Sequence, residues 1–328
     1  MFEITAPATP AKNGYGNLLR VVMAATFLAL LLFFTLYAPG FATLSNVESV
    51  LLNNVAPLAI ASLAITVVAV LGAVDLSIGT AIDFACLVLV TLILHKTGLT
   101  LAVAAALLAA LGVGLFNAFL VVVLGVEPFL ATLGTLFIGQ SVQQLSSNGG
   151  QPIYLLSQAL PPSFSAIGHG TLLGIALPLW YVLLLAVALH QLLQRTGYGR
   201  AFSVLGAQAS VARYSGLPVA RLTAAAFVLS SLIAGVVGLM LASNVKAWVP
   251  LSGNAYLLNA IGAAFIGATF SASRRPNVPG TLLGVGLLSF VANGLLLIGW
   301  SFYWQQVATG VLIFIVLAVG ALRGRSQL

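Results

Sequence analysis

Long runs of apolar residues, separated by short polar breaks, dominate the sequence. Ten of these runs are predicted as helices, at about 18–38, 47–73, 78–94, 99–124, 129–145, 171–193, 221–243, 256–270, 279–299 and 305–321. A helix of about 20 apolar residues crosses the hydrocarbon core of a bilayer. The pattern therefore predicts an all-α fold, a polytopic transmembrane helical bundle of about ten helices. Several runs contain Gly, Pro and polar residues, so some helices are expected to be broken or re-entrant.

The composition supports this prediction. Hydrophobic residues make up 61% of the 328 residues and charged residues 5%, whereas soluble proteins carry about 25% charge. The mean hydropathy is +1.14, which excludes a soluble globular protein. The net charge of +7 lies at the ends of the apolar runs, where it sets orientation in the membrane and does not indicate nucleic acid. We expect one transmembrane domain at residues 18–321, after a flexible cytoplasmic tail at residues 1–17.

The longest polar interruption between two membrane-length runs is residues 194–221, called the basic segment below. It has no acidic residue and holds four of the twelve Lys and Arg residues, Arg195, Arg200, Arg213 and Arg221. Short loops rich in Lys and Arg stay in the cytoplasm. The basic segment also has an apolar face, formed by Phe202, Val204, Leu205 and Val211. The segment is either a solvated loop or a docking element for a cytosolic partner, and its residues alone leave both open.

Charge also orients the other loops. Ten crossings that start in the cytoplasm place two further basic groups there, Arg274 with Arg275 and Arg323 with Arg325. Both termini are then cytoplasmic, and the loop 146–168, which lacks Lys and Arg, lies outside.

Residues 53–79 and 259–284 form a weak internal repeat. Each has an apolar run that carries Asn or Thr, then a break of small residues, then a Gly-rich helix. Such repeats are common in transporters, and the pattern leaves open whether this one is inverted or parallel.

Two acids fall near or within apolar runs, where a carboxylate is costly. Asp75 precedes a predicted helix and can act as an N-cap that accepts the N–H of Ser77 or Ile78. Asp83 has no such role in a continuous helix, so we expect it to face a watery cavity or a polar partner helix. The two acids lie eight residues apart and point in different directions on a helix, so they are not a catalytic dyad.

Neutral polar residues in or at the ends of the runs are more numerous, namely Asn117, Gln140, Gln143, Gln144, Asn293, Gln305 and Gln306. Each alone could bond a neighbouring helix, but together they suit a neutral, hydroxyl-rich solute better than an ion. The sequence has no phosphate-binding loop for ATP, no metal-ligand cluster and no hydrolase motif. We therefore expect no catalytic site and no cofactor. We expect an apolar membrane channel that is driven by a separate motor protein.

Several stretches of the sequence follow a recognisable order and spacing, namely 62–67 leading into 74–79, Asn117, 128–135, 195–200 followed by Gly206 and Gly216, and 293–295 with 303–306. In these stretches the chain resembles the permease subunits of bacterial ABC importers for ribose and related monosaccharides. The resemblance covers roughly residues 41–321. The sequence departs from the family pattern at Ala73, at Ala207 and Gln208, at Asn259 and at 273–277.

The resemblance implies a function and partners. It implies a permease subunit that passes a monosaccharide along a route lined by Asp75, Asp83, Asn117 and Asn293. It also implies a cytosolic ABC ATPase docked on the basic segment, with the contact carried by Arg200, Gly206, Arg213 and Gly216. A periplasmic sugar-binding protein and a second permease copy, identical or related, would complete the assembly in the lipid bilayer of the inner membrane. Two alternatives stay open: an importer for branched-chain amino acids or a signalling sugar, and a stand-alone channel.

Overall fold

The computed structural model describes residues 14–155, 160–271 and 275–325 of the chain. Ten long helical runs account for most of this part: α1 (Gly14–Tyr37), α2 to α3 (Leu44–Val50 and Ala56–Val70, joined by a π-helical turn), α4 (Ile78–Leu94), α5 (Leu99–Ala118, extended by a π-helical turn to Val123), α6 (Pro128–Leu145), α8 (Leu177–His190, extended by a π-helical turn to Arg195), α11 (Val219–Val245), α12 (Asn254–Thr269), α13 (Val278–Leu297) and α14 (Phe302–Arg325). The predicted all-α bundle is therefore confirmed.

Three short helices and four short strands complete the described part: α7 (Pro162–His169), α9 (Gly197–Ala207), α10 (Ala209–Tyr214), and the strands β1 (Ile153–Tyr154), β2 (Thr171–Leu172), β3 (Ile175–Ala176) and β4 (Ala247–Trp248). Strand β1 pairs antiparallel with β4, and β2 pairs antiparallel with β3.

Length and composition alone qualify five of the described helical runs to cross a membrane, namely Leu44–Val70, Leu99–Val123, Leu177–Arg195, Val219–Val245 and Val278–Leu297. Three shorter apolar stretches accompany them, Ala24–Tyr37, Ile78–Leu94 and Phe302–Ile315. Large apolar side chains on the outer helices, such as Leu28, Leu108 and Leu184, are exposed. This outer surface is what a lipid environment requires.

Some predicted boundaries differ from the structure. Helix α1 begins at Gly14, so the last residues of the predicted tail are helical, and residues 1–13 lie outside the described part. The sixth run begins at Leu177 instead of residue 171, because a β-hairpin occupies residues 171–176. The predicted outer loop contains helix α7. Prolines near the first turn of α6, α7 and α8 fit these starts, since a helix needs no N–H donor there.

Helix α3 forms the centre of the bundle. Every residue from Ala56 to Val70 is buried, and α8, α11, α12 and α13 pack around it. Beside this group, α4, α5 and α11 pack against one another. Glycines allow the close approach: a Cβ at Gly238 of α11 would overlap the carbonyl oxygen of Ile82 in α4, and a Cβ at Gly114 of α5 would overlap the Ser231 side chain of α11. The core is thus built from small residues that bring helix backbones together.

Contacts between loops show which loops share an end of the bundle. The guanidinium of Arg275 donates a hydrogen bond of 2.9 Å to the carbonyl oxygen of Ser203 in α9. The loop before α13 and the basic segment therefore lie together, as the charge pattern predicts; Arg274 lies outside the described residues. The pairing of β1 with β4 similarly joins the loop after α6 to the loop after α11.

Candidate functional site

A buried polar network surrounds the junction between α3 and α4. Asp75 accepts hydrogen bonds from the backbone N–H of Ser77 at 2.8 Å and from the Ser77 hydroxyl at 2.7 Å. The amide of Asn117 in α5 donates to the Ser77 oxygen at 2.6 Å, and Thr135 in α6 donates to Asn117 Oδ1 at 2.6 Å. Ser230 in α11 donates to the second oxygen of Asp75 at 3.3 Å. The network ties three helices to the junction, and all five side chains are buried.

The predicted capping role of Asp75 is partly right. Its carboxylate accepts the Ser77 N–H, one of the two donors predicted, but Ser77 itself holds the N-cap position of α4. The break that precedes it contains Gly72, whose φ of +78° is a conformation that suits glycine. Asp75 therefore orders the junction from two residues before the N-cap of α4.

Asp83 has a polar partner in place of a watery cavity. Its Oδ1 accepts the Ser252 hydroxyl at 2.9 Å and the Gly253 N–H at 2.8 Å. Gly253 is the N-cap residue of α12, so the carboxylate sits at the positive end of that helix. A Cβ at Gly253 would overlap the carbonyl oxygen of Gly79, so the turn before α12 lies directly on the first turn of α4. Asp83 and Asp75 bind different partners, in agreement with the prediction that they form no dyad.

Asn293, the fourth residue predicted to line the route, pairs with Asn46. The Asn46 amide donates to Asn293 Oδ1 at 2.9 Å, and the Asn293 amide donates back to Asn46 Oδ1 at 3.2 Å. This reciprocal bond joins α2 to α13. In this conformation the structure therefore separates the four predicted residues: Asp75 and Asn117 share one network, while Asp83 and Asn293 each bind elsewhere. Their contact with solute stays a prediction.

A cavity of about 490 Å³ lies between α3, α12, α13 and α14. None of the four predicted route residues lines it. Six carboxamide side chains do, and we call it the amide cavity; they are Asn53, Asn54, Asn254, Asn259, Gln305 and Gln306. Among the described residues that line it, none is charged. The sequence pattern had indicated Gln305 and Gln306, whereas the four asparagines could not be assigned because they lie about 200 residues apart in pairs.

The basic segment folds into α9 and α10, two short helices joined at Gln208. Its predicted apolar face is divided: Phe202 and Leu205 are buried against the bundle, whereas Val204 and Val211 are exposed. Arg200 and Arg213 are exposed on the same two helices, and Tyr214 is 91% exposed. The segment is thus a folded element, anchored on one side and presenting cationic and apolar groups on the other.

Gly206 and Gly216 have different positions in this element. A Cβ at Gly206 would overlap the carbonyl oxygen of Val70, and Gly206 also touches Gly72, so the end of α9 lies directly on the end of α3. Gly216 has a φ of +74° and ends α10 before the chain turns into α11. Neither glycine offers a side chain to a partner. Gly206 instead links the basic segment to the junction that Asp75 orders.

Within the described residues, no three His, Cys, Asp or Glu side chains come together as metal ligands. Cys86 is buried in α4, and its thiol lies 3.7 Å from the carbonyl oxygen of Ala247. The chemistry that this part of the chain displays is therefore hydrogen bonding by neutral groups, plus two buried carboxylates.

Comparison with known proteins places the chain in a family. The family model described as branched-chain amino acid transport system / permease component matches residues 47–317. The ribose import permease protein RbsC of Escherichia coli K12 is 28% identical over 282 residues, which cover 86% of this chain and 87% of that protein. The L-arabinose ABC transporter permease protein AraH of Azospirillum brasilense is 30% identical over 316 residues, or 95% of this chain and 91% of the relative.

A third relative, the probable ABC transporter permease protein y4mJ of Sinorhizobium fredii, is 32% identical over 272 residues, covering 80% of this chain and 78% of that protein. No solved structure matches the chain significantly. The family match spans most of the chain, including the junction, the amide cavity and the basic segment. The chain is therefore a multi-pass membrane protein of the branched-chain amino acid transport system / permease component family.

Proposed function

We propose that this chain is the membrane-spanning permease subunit of a bacterial ABC importer and carries a monosaccharide across the inner membrane. The observation that carries the proposal is the basic segment, which folds into two helices with exposed Arg200 and Arg213 while Gly206 lies on the end of α3. A solvated loop would need neither a buried face nor that contact. A docked motor would use both, because force applied to α9 would reach the core helix directly.

The proposed partners follow from this role and from the family. A cytosolic ABC ATPase would dock on the basic segment, since the chain has no phosphate-binding loop of its own. A periplasmic sugar-binding protein would deliver the solute, and a second permease, identical or related, would complete the pathway. Both termini would be cytoplasmic, in keeping with the basic residues of the segment and of the loop at Arg275.

The proposed movement runs from the basic segment to the junction. Docking shifts α9, and the contact of Gly206 with Val70 and Gly72 passes the shift to the end of α3. Residues 71–77 then move relative to α5, α6 and α11, to which the Asp75 network binds them. Asp75, Asp83, Asn117 and Asn293 would meet solute only when these helices separate. A bistable junction of this kind is what alternating access requires.

Two observations favour a sugar over an amino acid as the transported solute. Relatives at 28% and 30% identity are named as ribose and L-arabinose permeases. The amide cavity has no charged lining residue, whereas the ammonium and carboxylate of an amino acid are best bound by charged partners. The family description itself names branched-chain amino acids, so competition between D-ribose and L-leucine for uptake decides between the two classes.

The docking proposal is tested by reversing one charge. Arg213→Glu should abolish copurification of the ATPase with the permease, because it places an acid in a cationic docking face. Lys96→Glu is the matched control, since Lys96 is exposed in the loop between α4 and α5, outside the basic segment. Gly206→Val should keep the ATPase bound but uncouple ATP hydrolysis from uptake. If Arg213→Glu retains the ATPase as well as Lys96→Glu does, the docking site lies elsewhere.

A further inference from the structure

The amide cavity is a partly open cavity lined by parts of the chain that are distant in sequence. Asn53 and Asn54 come from the π-helical turn before α3, and Asn254 and Asn259 from the start of α12. Helix α14 contributes Gln305 and Gln306, and α13 contributes Leu288, Ser289 and Ala292. The volume of about 490 Å³ falls within the range of about 300–1,000 Å³ that small-molecule sites occupy.

A buried hydroxyl without a partner lies in this cavity. Ser289 of α13 lines it and is 3% exposed, yet its hydroxyl makes no hydrogen bond to any described residue. Other buried helix hydroxyls do bond the carbonyl one turn earlier, as Ser62 does to Leu58 at 2.7 Å and Thr66 does to Ser62 at 2.7 Å. Thr80 of α4 is also buried and unpaired, but it does not line this cavity. An unpaired buried polar group is costly, and its presence in a cavity points to a ligand that pairs it.

The carboxamides around Ser289 also have spare hydrogen-bonding capacity. Asn259 donates one N–H to the carbonyl of Ala255 at 3.2 Å, which leaves its oxygen and its second N–H. The side chains of Asn54, Gln305 and Gln306 make no hydrogen bond to another described residue. A carboxamide both donates and accepts, so each can pair with a hydroxyl in either direction. Tyr256 and Phe302 add aromatic surface that suits the C–H face of a sugar ring.

We propose that the amide cavity is a binding site for a neutral polyhydroxylated solute of monosaccharide size, held by Ser289, Asn259 and Gln306 during passage. This proposal rests on the proposed function and adds the site and the chemical class of its ligand. Neutral donors and acceptors on several sides match a ring of hydroxyl groups. A charged solute would find no counter-ion among the residues that line the cavity.

The test measures D-ribose uptake by proteoliposomes that hold the whole importer. Gln306→Met and Ser289→Ala keep the side-chain volume nearly unchanged and remove hydrogen bonds. Each should lower uptake about five- to tenfold, the loss expected for one hydrogen bond to a bound solute. Gln144→Met, at an exposed carboxamide of α6, and Ser62→Ala, at a buried serine away from the cavity, are the matched controls and should keep uptake within twofold of the parent.

A second measurement tests occupancy without transport. In a chain in which Cys86 is replaced by Ala, Thr309→Cys places a thiol in the amide cavity. D-ribose at high concentration should slow its reaction with a small maleimide, and L-leucine should not.

The outcomes separate the two proposals. Uptake of D-ribose by the parent importer, with cavity variants equal to their controls and no protection of the thiol, overturns the cavity proposal and leaves the proposed function standing. Absence of monosaccharide uptake by the parent importer overturns both.

Discussion

At the scale of single residues, the junction between α3 and α4 depends on a few buried polar groups. Asp75, Ser77, Asn117, Thr135 and Ser230 satisfy one another in an interior where an unpaired group is expensive. The sequence could predict that Asp75 accepts the Ser77 N–H, because that contact is local. It could not predict that Asn117 and Ser230 converge on the same two residues, since those contacts depend on how α5 and α11 pack.

Asn117→Leu tests this network. The change leaves the Ser77 oxygen without its donor, and the Thr135 hydroxyl keeps only the carbonyl oxygen of Ala131 as acceptor, so the free energy of unfolding should fall by about 1–3 kcal/mol. Thermal unfolding of the purified chain in detergent measures the loss. Gln144→Leu, at an exposed amide on α6, is the control and should change stability little. Equal midpoints for the two variants would show that the network does not stabilise the fold.

At the scale of helices, the pair α12 and α13 is held by backbone contact. Gly280 and Gly284 are four residues apart, a spacing that lets two helices approach closely. A Cβ at Gly280 would overlap the carbonyl of Gly267, and a Cβ at Gly284 would overlap that of Ala263. The sequence could not identify α12 as the partner helix, because small residues are abundant on most helices of this chain.

Two alanine substitutions on the same helix separate packing from helix propensity. Gly284→Ala should destabilise the chain by about 1–3 kcal/mol, because the methyl group pushes α12 and α13 apart. Gly286→Ala meets only Phe27, at 3.9 Å, and should stabilise by up to about 1 kcal/mol through its better helix propensity. Both shifts are read from thermal unfolding midpoints in detergent. A stabilised Gly284→Ala would mean that the two helices do not touch there.

The helix pattern shows how much of the fold can be predicted from the apolar runs alone. Ten apolar runs became ten long helices, since an apolar run of that length has few other solutions in lipid. The division of the basic segment into α9 and α10 was not predicted, because the two helices separate at the extended backbone of Gln208, a residue that carries no breaker signal. Likewise, the hairpin at residues 171–176 replaced a predicted first helical turn.

At the scale of the whole molecule, helix α3 connects the amide cavity, the proposed solute site, with the basic segment, the proposed docking site. Asn53 and Asn54 precede the first turn of α3 at the cavity, and Val70 ends α3 at the contact with Gly206. A rigid, fully buried helix therefore connects the proposed solute site with the proposed docking site. The sequence indicated Gln305 and Gln306 only as two of seven neutral polar residues, and its predicted route residues do not line the cavity. The connection between the cavity and the arginines of the basic segment is visible only in the fold.

The central claim is that a separate motor drives this chain, and ATP-dependent uptake tests it most directly. Proteoliposomes would hold the permease alone, or the permease with its ABC ATPase and sugar-binding protein, and accumulation of radiolabelled D-ribose would be followed with and without ATP. We expect uptake in the complete system with ATP, and none from the permease alone. Saturable D-ribose uptake by the permease alone, unaffected by ATP or by the ATPase, would contradict the account and identify the chain as a stand-alone facilitator.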